Sequence, residues 1–300
     1  MSFLEGVLIN VFILVIITQG VYLLTGMTGL FSLGQAAFVA TGAYAAGIVA
    51  TRYQAPFLLS LAAGVVASVV VSLVVGYPSL KLRRVHFSLA TIAFGYGIES
   101  ILNVSTGITG GAIGLIGIPN ITRLWHVLLA AFLTIALVRN FKLCRYGRAC
   151  VSTRTDEVAA QVYGVNAFVT KEIVFAFAAG ISGLAGGLLA FYLGYLSPDM
   201  FGIPISAEYL IMVFFGGLYS QTGVILGTIF LALLMEMLRA TAELRMVLYC
   251  TIILIFIIFR PTGVFGTWEF SRAWLAGLSG RAFGPGVVKE GVKDNGFKQA

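Results

Sequence analysis

Three acidic side chains interrupt long apolar segments of this sequence: Glu99, Glu208 and Glu236. An ionisable group at membrane depth is costly to bury, and its default interpretation is a role in an ion, proton or substrate pathway. Glu208 and Glu236 lie near the ends of their apolar runs, which favours snorkelling or pairing with Arg239 over a pathway role. Glu99 lies deeper, and its apolar segment contains no basic partner. It is therefore the acid that we predict to be part of a pathway.

Residue patterns that carry catalysis are absent from the sequence. There is no GxxxxGK[ST] phosphate-binding loop and no pairing of a nucleophile with a base. The two histidines and the three cysteines do not have the spacing of metal ligands. The sequence therefore predicts a non-catalytic protein with no catalytic residue, no metal and no cofactor of its own.

The composition is that of a membrane protein. Hydrophobic residues make up 59% of the 300 positions and charged residues only 10%, whereas a soluble domain has roughly a quarter charged residues. We predict an all-α fold, a polytopic membrane helix bundle of about nine transmembrane segments (eight to ten). The predicted spans are 6–24, 30–50, 57–77, 87–104, 125–139, 172–193, 207–219, 223–238 and 246–259. Because 207–219 is short for a span, it forms with 223–238 either a hairpin or one broken helix.

The charge distribution predicts the orientation. Basic residues concentrate in 81–86, in 139–171 and after residue 260. The positive-inside rule places all three on the cytoplasmic side, with the amino terminus outside and the carboxyl terminus in the cytoplasm. We divide the chain into a transmembrane unit, 1–266, and an interfacial and disordered tail, 267–300.

Residues 144–171 form the longest polar interval before the tail. Asp156 and Glu157 suit the first turn of a helix, where the helix dipole favours acids. Ala159 and Ala160 provide small side chains, and Gly164 is a plausible C-terminal stop. We predict a short helix with a small-residue face that can receive another protein. The alternative is a solvated loop that only sets topology.

Glycines also follow a helical spacing. Gly180, Gly183 and Gly187 recur at i, i+3 and i+7, and Gly183 to Gly187 is a GxxxG pattern. Such a stripe lets two helix backbones approach closely.

Five stretches of the sequence, in order, resemble permease subunits of branched-chain amino acid ABC importers of the LivM type. They are GLFSLGQAAFVATGAYAAG at 29–47, TGGAIGLIGIP at 109–119, YGRACVSTRTDEVAAQVYGVN at 146–166, YLSPDMFG at 195–202 and FRPTGVFG at 259–266. The resemblance runs from about Gly20 to Gly266, nearly the whole chain.

The resemblance implies a permease subunit in a bacterial or archaeal cytoplasmic membrane. Its expected partners are ABC ATPase subunits that bind the ATP, a second related permease subunit, a periplasmic substrate-binding protein and membrane lipid; nucleic acid is not expected. The expected substrates are branched-chain or other aliphatic amino acids, with urea and short amides as alternatives.

The resemblance also implies two groups of functional residues. Residues 146–166 would be a cytoplasmic coupling helix that docks on the ATPase. Its predicted coupling residues are Arg148, Arg154, Asp156, Glu157, Ala159, Ala160 and Gly164. The predicted substrate pathway consists of Ser32, Gly34, Gln35, Thr41, Tyr44 and Glu99. Tight helix packing is an equally good interpretation of the glycines at 34 and 42.

A second class of function stays open at this point, an ion-coupled secondary transporter of a small organic solute. Such a transporter normally needs a richer set of buried ionisable groups than this sequence contains. A structural membrane scaffold is a weaker alternative, because polar residues recur within the spans.

Overall fold

The computed structural model describes residues 3–82 and 84–238, together with positions 251, 254, 258, 263 and 264. The predicted tail at 267–300 lies outside the described residues, and so does almost all of the predicted span 246–259.

The described chain is almost entirely helical. Its helices and strands are α1 (Phe3–Tyr22), a π-helix (Leu23–Met27), α2 (Gln35–Arg52), α3 (Phe57–Ser79), α4 (Arg84–Val104), α5 (Thr106–Thr109), a 3₁₀ turn (Gly111–Ile113), β1 (Leu115–Ile116), α6 (Leu124–Leu143), α7 (Arg145–Thr155), α8 (Glu157–Val162), α9 (Ala167–Leu193), β2 (Tyr195–Leu196), a 3₁₀ turn (Pro198–Phe201), α10 (Ile203–Gly216) and α11 (Gln221–Met237).

Six helical segments of the described chain are long and apolar enough to cross a membrane. They are Phe3–Met27, Phe57–Ser79, His86–Val104, Leu124–Leu143, Ala167–Leu193 and Pro198–Gly216. Two further predicted spans correspond to α2 and α11, which are 18 and 17 residues long. The number of nine spans therefore stays a prediction.

The core of the bundle is the crossing of α2, α3 and α9. A Cβ built on Gly42 would lie 2.4 Å from the Cα of Gly183, and one on Gly183 would lie 2.9 Å from the carbonyl oxygen of Gly64. The closest approach is at Gly186, where a Cβ would lie 2.0 Å from the carbonyl oxygen of Val39. The predicted stripe is thus confirmed as a packing surface at Gly183, and Gly186 extends it.

The segment 207–238 forms a hairpin of two helices. α10 and α11 flank the short turn at 217–220, and they meet at glycines, since a Cβ on Gly227 would lie 2.5 Å from the Cα of Gly216. The structure therefore favours the hairpin over one broken helix.

The predicted second span begins later than expected. The first helix does not stop at Thr25 but continues as a π-helix to Met27, and the chain is non-helical from residue 29 to 34. α2 starts at Gln35 rather than at residue 30. A positive φ of 70° at Gly29 turns the backbone out of the helix, a conformation that glycine adopts without steric cost.

Segments that connect the helices contact α2 along its length. β1 and β2 pair antiparallel, with Leu115 opposite Leu196. Leu196 accepts a hydrogen bond from the Tyr44 hydroxyl at 3.3 Å, and Ser206 at the start of α10 reaches Ala36. We call the end of the bundle that carries β1 and β2 the strand end, and the end that carries α7 and α8 the basic end.

Candidate substrate pathway and docking surface

Side chains from two other helices bind the backbone where α2 begins. The Ser206 hydroxyl of α10 accepts a hydrogen bond from the Ala36 amide at 2.9 Å. The Thr91 hydroxyl of α4 accepts one from the Leu33 amide at 3.2 Å. Non-helical backbone at membrane depth occurs where protein groups or a cavity satisfy it. The start of α2 is therefore a polar position held by α4 and α10.

The Gln35 side chain lies between α1, α2 and α9. Its Nε2 donates to the Ser182 hydroxyl at 2.7 Å, while its Oε1 is buried without a hydrogen-bond partner. Gly20 of α1 makes room for this pair, because a Cβ there would lie 3.1 Å from the Ser182 oxygen. The Ser32 hydroxyl is likewise buried without a partner. Buried polar atoms normally have partners, so these two atoms are available to a polar ligand.

A second polar cluster, which the sequence analysis did not identify, joins α1, α6 and α11. Gln221 Nε2 donates to Gln19 Oε1 and to the Ile135 carbonyl, both at 3.0 Å. Thr18, next to Gln19 in α1, accepts a hydrogen bond at 3.0 Å from the hydroxyl of Thr228, which lies about two turns beyond Gln221 in α11. The sequence does contain a signal for this cluster, because Thr18 and Gln19 interrupt the otherwise apolar α1.

The other predicted pathway residues are dispersed. The Thr41 hydroxyl contacts Ser68 of α3 at 3.1 Å, whereas Tyr44 packs edge-on against Phe201 at a ring separation of 6.2 Å. Thr41 therefore serves the contact with α3, and Tyr44 the contact with the strand and the 3₁₀ turn that follow α9.

Gly34 and Glu99 also lie apart from each other. A Cβ on Gly34 would lie 2.3 Å from the Thr91 carbonyl oxygen, which favours the packing interpretation of that glycine. Glu99 is half-buried on α4, eight residues beyond Thr91 and hence about 12 Å along the helix. Of the predicted pathway, the structure brings together Ser32, Gly34 and Gln35 at the start of α2.

The predicted coupling segment consists of two helices rather than one. The chain breaks between α7 and α8 at Asp156, whose Oδ1 accepts hydrogen bonds from the Val158 and Ala159 amides at 2.9 and 3.0 Å. Asp156 is thus an N-cap, and an N-cap residue has non-helical backbone angles. Gly164 follows the end of α8 with a φ of +81°, which is the expected stop.

The exposed side of α8 is apolar. Val158, Val162 and Tyr163 are 72%, 81% and 88% exposed. Ala159 is exposed too, but Ala160 is buried at 4%. The predicted docking face included both alanines. The structure separates them, because neighbouring residues of a helix point about 100° apart. Ala160 packs inside this chain, whereas Ala159 belongs to the exposed surface with Val158, Val162 and Tyr163.

Arg154 connects α7 to the membrane helices. Its guanidinium lies 4.2 Å from the centre of the Tyr219 ring in the α10–α11 turn. It also donates a hydrogen bond to the Gly26 carbonyl in the π-helix. Its aliphatic part covers Gly29, where a Cβ would lie 3.2 Å from the Arg154 Cγ. One side chain therefore touches both the α10–α11 turn and the end of the first helix.

Glu157 connects α8 to α9. Its Oε2 lies 2.7 Å from the Nζ of Lys171, whose side chain is 10% exposed. With 8% of its surface exposed, Lys171 is the one charged residue that is buried within the described part of the chain. The first residue of α8 is thus ion-paired to the first turns of a core helix.

Arg148 and Cys150 have different environments within α7. The exposed Arg148 donates to the Leu143 carbonyl at 2.8 Å. Cys150 is buried, and burial raises the pKa of its thiol to about 12. The thiol therefore stays protonated near neutral pH and is a packing group.

The bundle and its apolar helices define a multi-pass membrane protein. Residues 3–258 match the family described as branched-chain amino acid transport system / permease component, and the chain belongs to this family. It is 28% identical to the high-affinity branched-chain amino acid transport system permease protein LivM of Salmonella typhimurium, over 91% of this chain and 71% of that protein. Identity to the LivM protein of Escherichia coli is also 28%, over 84% of this chain and 67% of that protein. No solved structure matches it.

Proposed function

We propose that this chain is the permease subunit of an ATP-binding cassette importer for branched-chain or other aliphatic amino acids. It forms part of the translocation pathway and contains no ATPase; a separate ATPase docks on α7 and α8. The importer sits in a bacterial or archaeal cytoplasmic membrane, with a second related permease and a periplasmic binding protein as further partners. The substrate class is that of the two similar proteins, which are branched-chain amino acid permeases.

The observation that carries the proposal is the exposed apolar surface of α8. Val158, Ala159 and Val162 of α8, with Tyr163 directly after it, are exposed, and no part of the chain that the structure describes covers them. Exposed apolar clusters rimmed by charge are typical of protein interaction sites. Asp156, the N-cap of α8, is exposed as well and is a polar neighbour of these side chains.

The contacts behind this surface make it suitable for transmitting movement. Arg154 links α7 to the π-helix and to the α10–α11 turn, and the Glu157–Lys171 pair links α8 to α9. α9 in turn packs backbone to backbone with α2 at Gly183 and Gly186. A displacement of α8 by an ATPase would therefore be transferred to α9 and to the start of α2, where Gln35 lies.

The start of α2 is the position that we assign to substrate contact. Gln35 Oε1 and the Ser32 hydroxyl have unused hydrogen-bonding capacity, and both side chains are buried. An amide oxygen accepts hydrogen bonds and a hydroxyl both donates and accepts them. Together they suit the ammonium and carboxylate groups of an amino acid.

The energy source for uptake distinguishes the ABC importer from an ion-coupled secondary transporter. Proteoliposomes that contain the purified importer are tested for uptake of L-leucine delivered by its binding protein. The proposal predicts uptake that requires ATP on the side of α7 and α8 and continues when a protonophore collapses the proton gradient. Uptake that ignores ATP but stops with the protonophore would establish the ion-coupled transporter instead.

A further inference from the structure

The turn between α10 and α11 lies at the basic end of the bundle and touches two other elements. Its Tyr219 ring lies 4.2 Å from the Arg154 guanidinium of α7. The turn also packs on the π-helix, since a Cβ on Gly26 would lie 2.7 Å from the Leu218 carbonyl oxygen. A displacement of α7 therefore reaches this turn directly.

Gln221, two residues after Tyr219, continues these contacts into the bundle. It is the first residue of α11, and it is buried. Its Nε2 donates to Gln19 Oε1 of α1 and to the Ile135 carbonyl of α6, both at 3.0 Å. An amide nitrogen of this kind has two hydrogens to donate, so both are in use. One side chain thus joins the start of α11 to two membrane helices.

The hairpin that carries Gln221 is closely packed. The buried Ser220 hydroxyl caps α11 by accepting a hydrogen bond from the Gly223 amide at 3.0 Å. The backbones of α10 and α11 are in contact, because a Cβ on Gly216 would lie 2.5 Å from the Cα of Val224. Interiors packed at this density transmit strain instead of absorbing it. A shift of the turn therefore carries Gln221 with it.

Two hydrogen bonds connect α11 to α1, and they differ in what their loss would leave. The Gln19 side chain has no exposed area and its Nε2 has no partner, so the bond from Gln221 is the one that satisfies this amide within the described residues. Thr18, which accepts from Thr228, also donates to the Val15 carbonyl of its own helix at 3.1 Å. The Gln19–Gln221 bond is therefore the one without a substitute.

We propose that Gln221 is a further coupling residue, which transfers a displacement of the α10–α11 turn to α1 and α6. This inference rests on the proposed function, because the ATPase that docks on α7 and α8 is the source of the displacement. It adds a second route into the bundle. The first route runs from Glu157 through Lys171 to α9, and the second runs from Arg154 through the turn and Gln221 to α1 and α6.

The test compares two apolar replacements in α11. Gln221→Met keeps the length of the side chain and removes both donated hydrogen bonds. Thr228→Val is the matched control: it keeps the shape and removes a hydroxyl that faces the same helix, while Thr18 keeps its bond to Val15. Each importer is purified with its ATPase, reconstituted and assayed for leucine uptake and ATP hydrolysis. The unfolding midpoint of each is measured in detergent.

We expect Gln221→Met to retain its ATPase and to hydrolyse ATP, with the parental KM for leucine. The leucine transported per ATP hydrolysed should fall about tenfold, since the net free energy of one hydrogen bond changes a conformational equilibrium by roughly that factor. Thr228→Val should keep the parental ratio even if its unfolding midpoint falls. Should Gln221→Met not assemble, Gln19→Met breaks the same contact from α1 and leaves the bond to Ile135; its ratio should fall as well, and a parental ratio would count against the proposal.

Three results would overturn this inference alone. One is a parental ratio in Gln221→Met, and another is an equal fall in Gln221→Met and Thr228→Val, which would reduce the cluster to a stabilising contact. The third is a raised KM for leucine at an unchanged ratio, which would assign Gln221 to the substrate path. A parent importer without ATP-driven uptake would instead overturn the proposed function, and this inference with it.

Discussion

Glu157 and Lys171 form an ion pair with 2.7 Å between Oε2 and Nζ, and this pair joins the exposed helix α8 to the core helix α9. The two partners differ in environment, because the Lys171 side chain is 10% exposed and the Glu157 side chain is 40% exposed. A mostly buried ammonium needs its counter-charge, so the pair constrains α8 more firmly than a surface ion pair would.

The first prediction concerns this pair. Glu157→Gln should leave Lys171 without a counter-charge, at a cost between the ~1 kcal/mol of an exposed pair and the ~3–5 kcal/mol of a buried one. In reconstituted importer, the amount of leucine transported per ATP hydrolysed should fall severalfold. Asp156→Asn is the matched control: it removes the same charge one residue away but keeps an N-cap, since Asn and Asp cap equally well. If the two variants transport the same amount of leucine per ATP hydrolysed, the ion pair does not transmit movement from α8 to α9.

The second prediction concerns Arg154. Arg154→Lys keeps the charge but loses the planar group that stacks on Tyr219 and reaches Gly26. We expect ATP hydrolysis to persist while uptake falls about tenfold. Arg139→Lys, at an exposed position on α6, should behave like the parent chain.

A double-mutant cycle isolates the contact with the ring. Combining Arg154→Lys with Tyr219→Leu should show an interaction energy of about 0.5–2 kcal/mol in thermal unfolding. Fully additive effects in that cycle would remove the stacking contact from the coupling path.

The third prediction concerns the α2–α9 crossing. Gly42→Ala would place a methyl group 2.4 Å from the Cα of Gly183, an overpacking that costs about 1–3 kcal/mol. The unfolding midpoint in detergent should therefore fall. Gly97→Ala is the control, because a Cβ there meets no atom within 4 Å and gains helix propensity of about 0.5–1 kcal/mol. An unfolding midpoint for Gly42→Ala at or above that of the parent would show that the α2 and α9 backbones can move apart without a loss of stability.

The fourth prediction concerns orientation, which rests on the charge bias of the loops. In a background without the three native cysteines, a membrane-impermeant maleimide added to intact cells should label Asp199→Cys and not Arg148→Cys. Both positions are exposed in the structure, so access to the reagent does not limit either one. Permeabilised cells should show labelling at both, which is the control. Labelling of position 148 in intact cells would reverse the orientation.

The sequence predicted the fold class and most helices, because long apolar segments bounded by charge leave few alternatives in a membrane. It misplaced the start of α2, since no local pattern announces that a π-helix extends α1 and that Thr91 and Ser206 hold the following backbone. Those partners are 58 and 170 residues away from the amides they bind. Such long-range contacts are not visible in local periodicity.

The docking surface was predictable in part. The acid pair, the alanines and Gly164 indicated a short helix, and α8 has that position and that stop. The break at Asp156 was missed, because an aspartate suits both a first turn and an N-cap. Which alanine faces outward depends on how α8 packs in the folded chain, so the burial of Ala160 could not be read from composition.

Association with an ATPase through α8 is the central claim, and Ala159→Asp tests it most directly. Ala159 is exposed, so the variant should insert and unfold at the parental temperature, yet its carboxylate would be buried without a partner at the docking interface, costing several kcal/mol. The importer is purified from membranes by a tag on this chain and assayed for co-purified ATP hydrolysis and for leucine uptake. We predict that Ala159→Asp and Gly164→Trp lose both, while Asn140→Asp, which adds the same charge at an exposed position on α6, retains both. An Ala159→Asp importer that keeps its ATPase and takes up leucine at the parental rate would contradict the account.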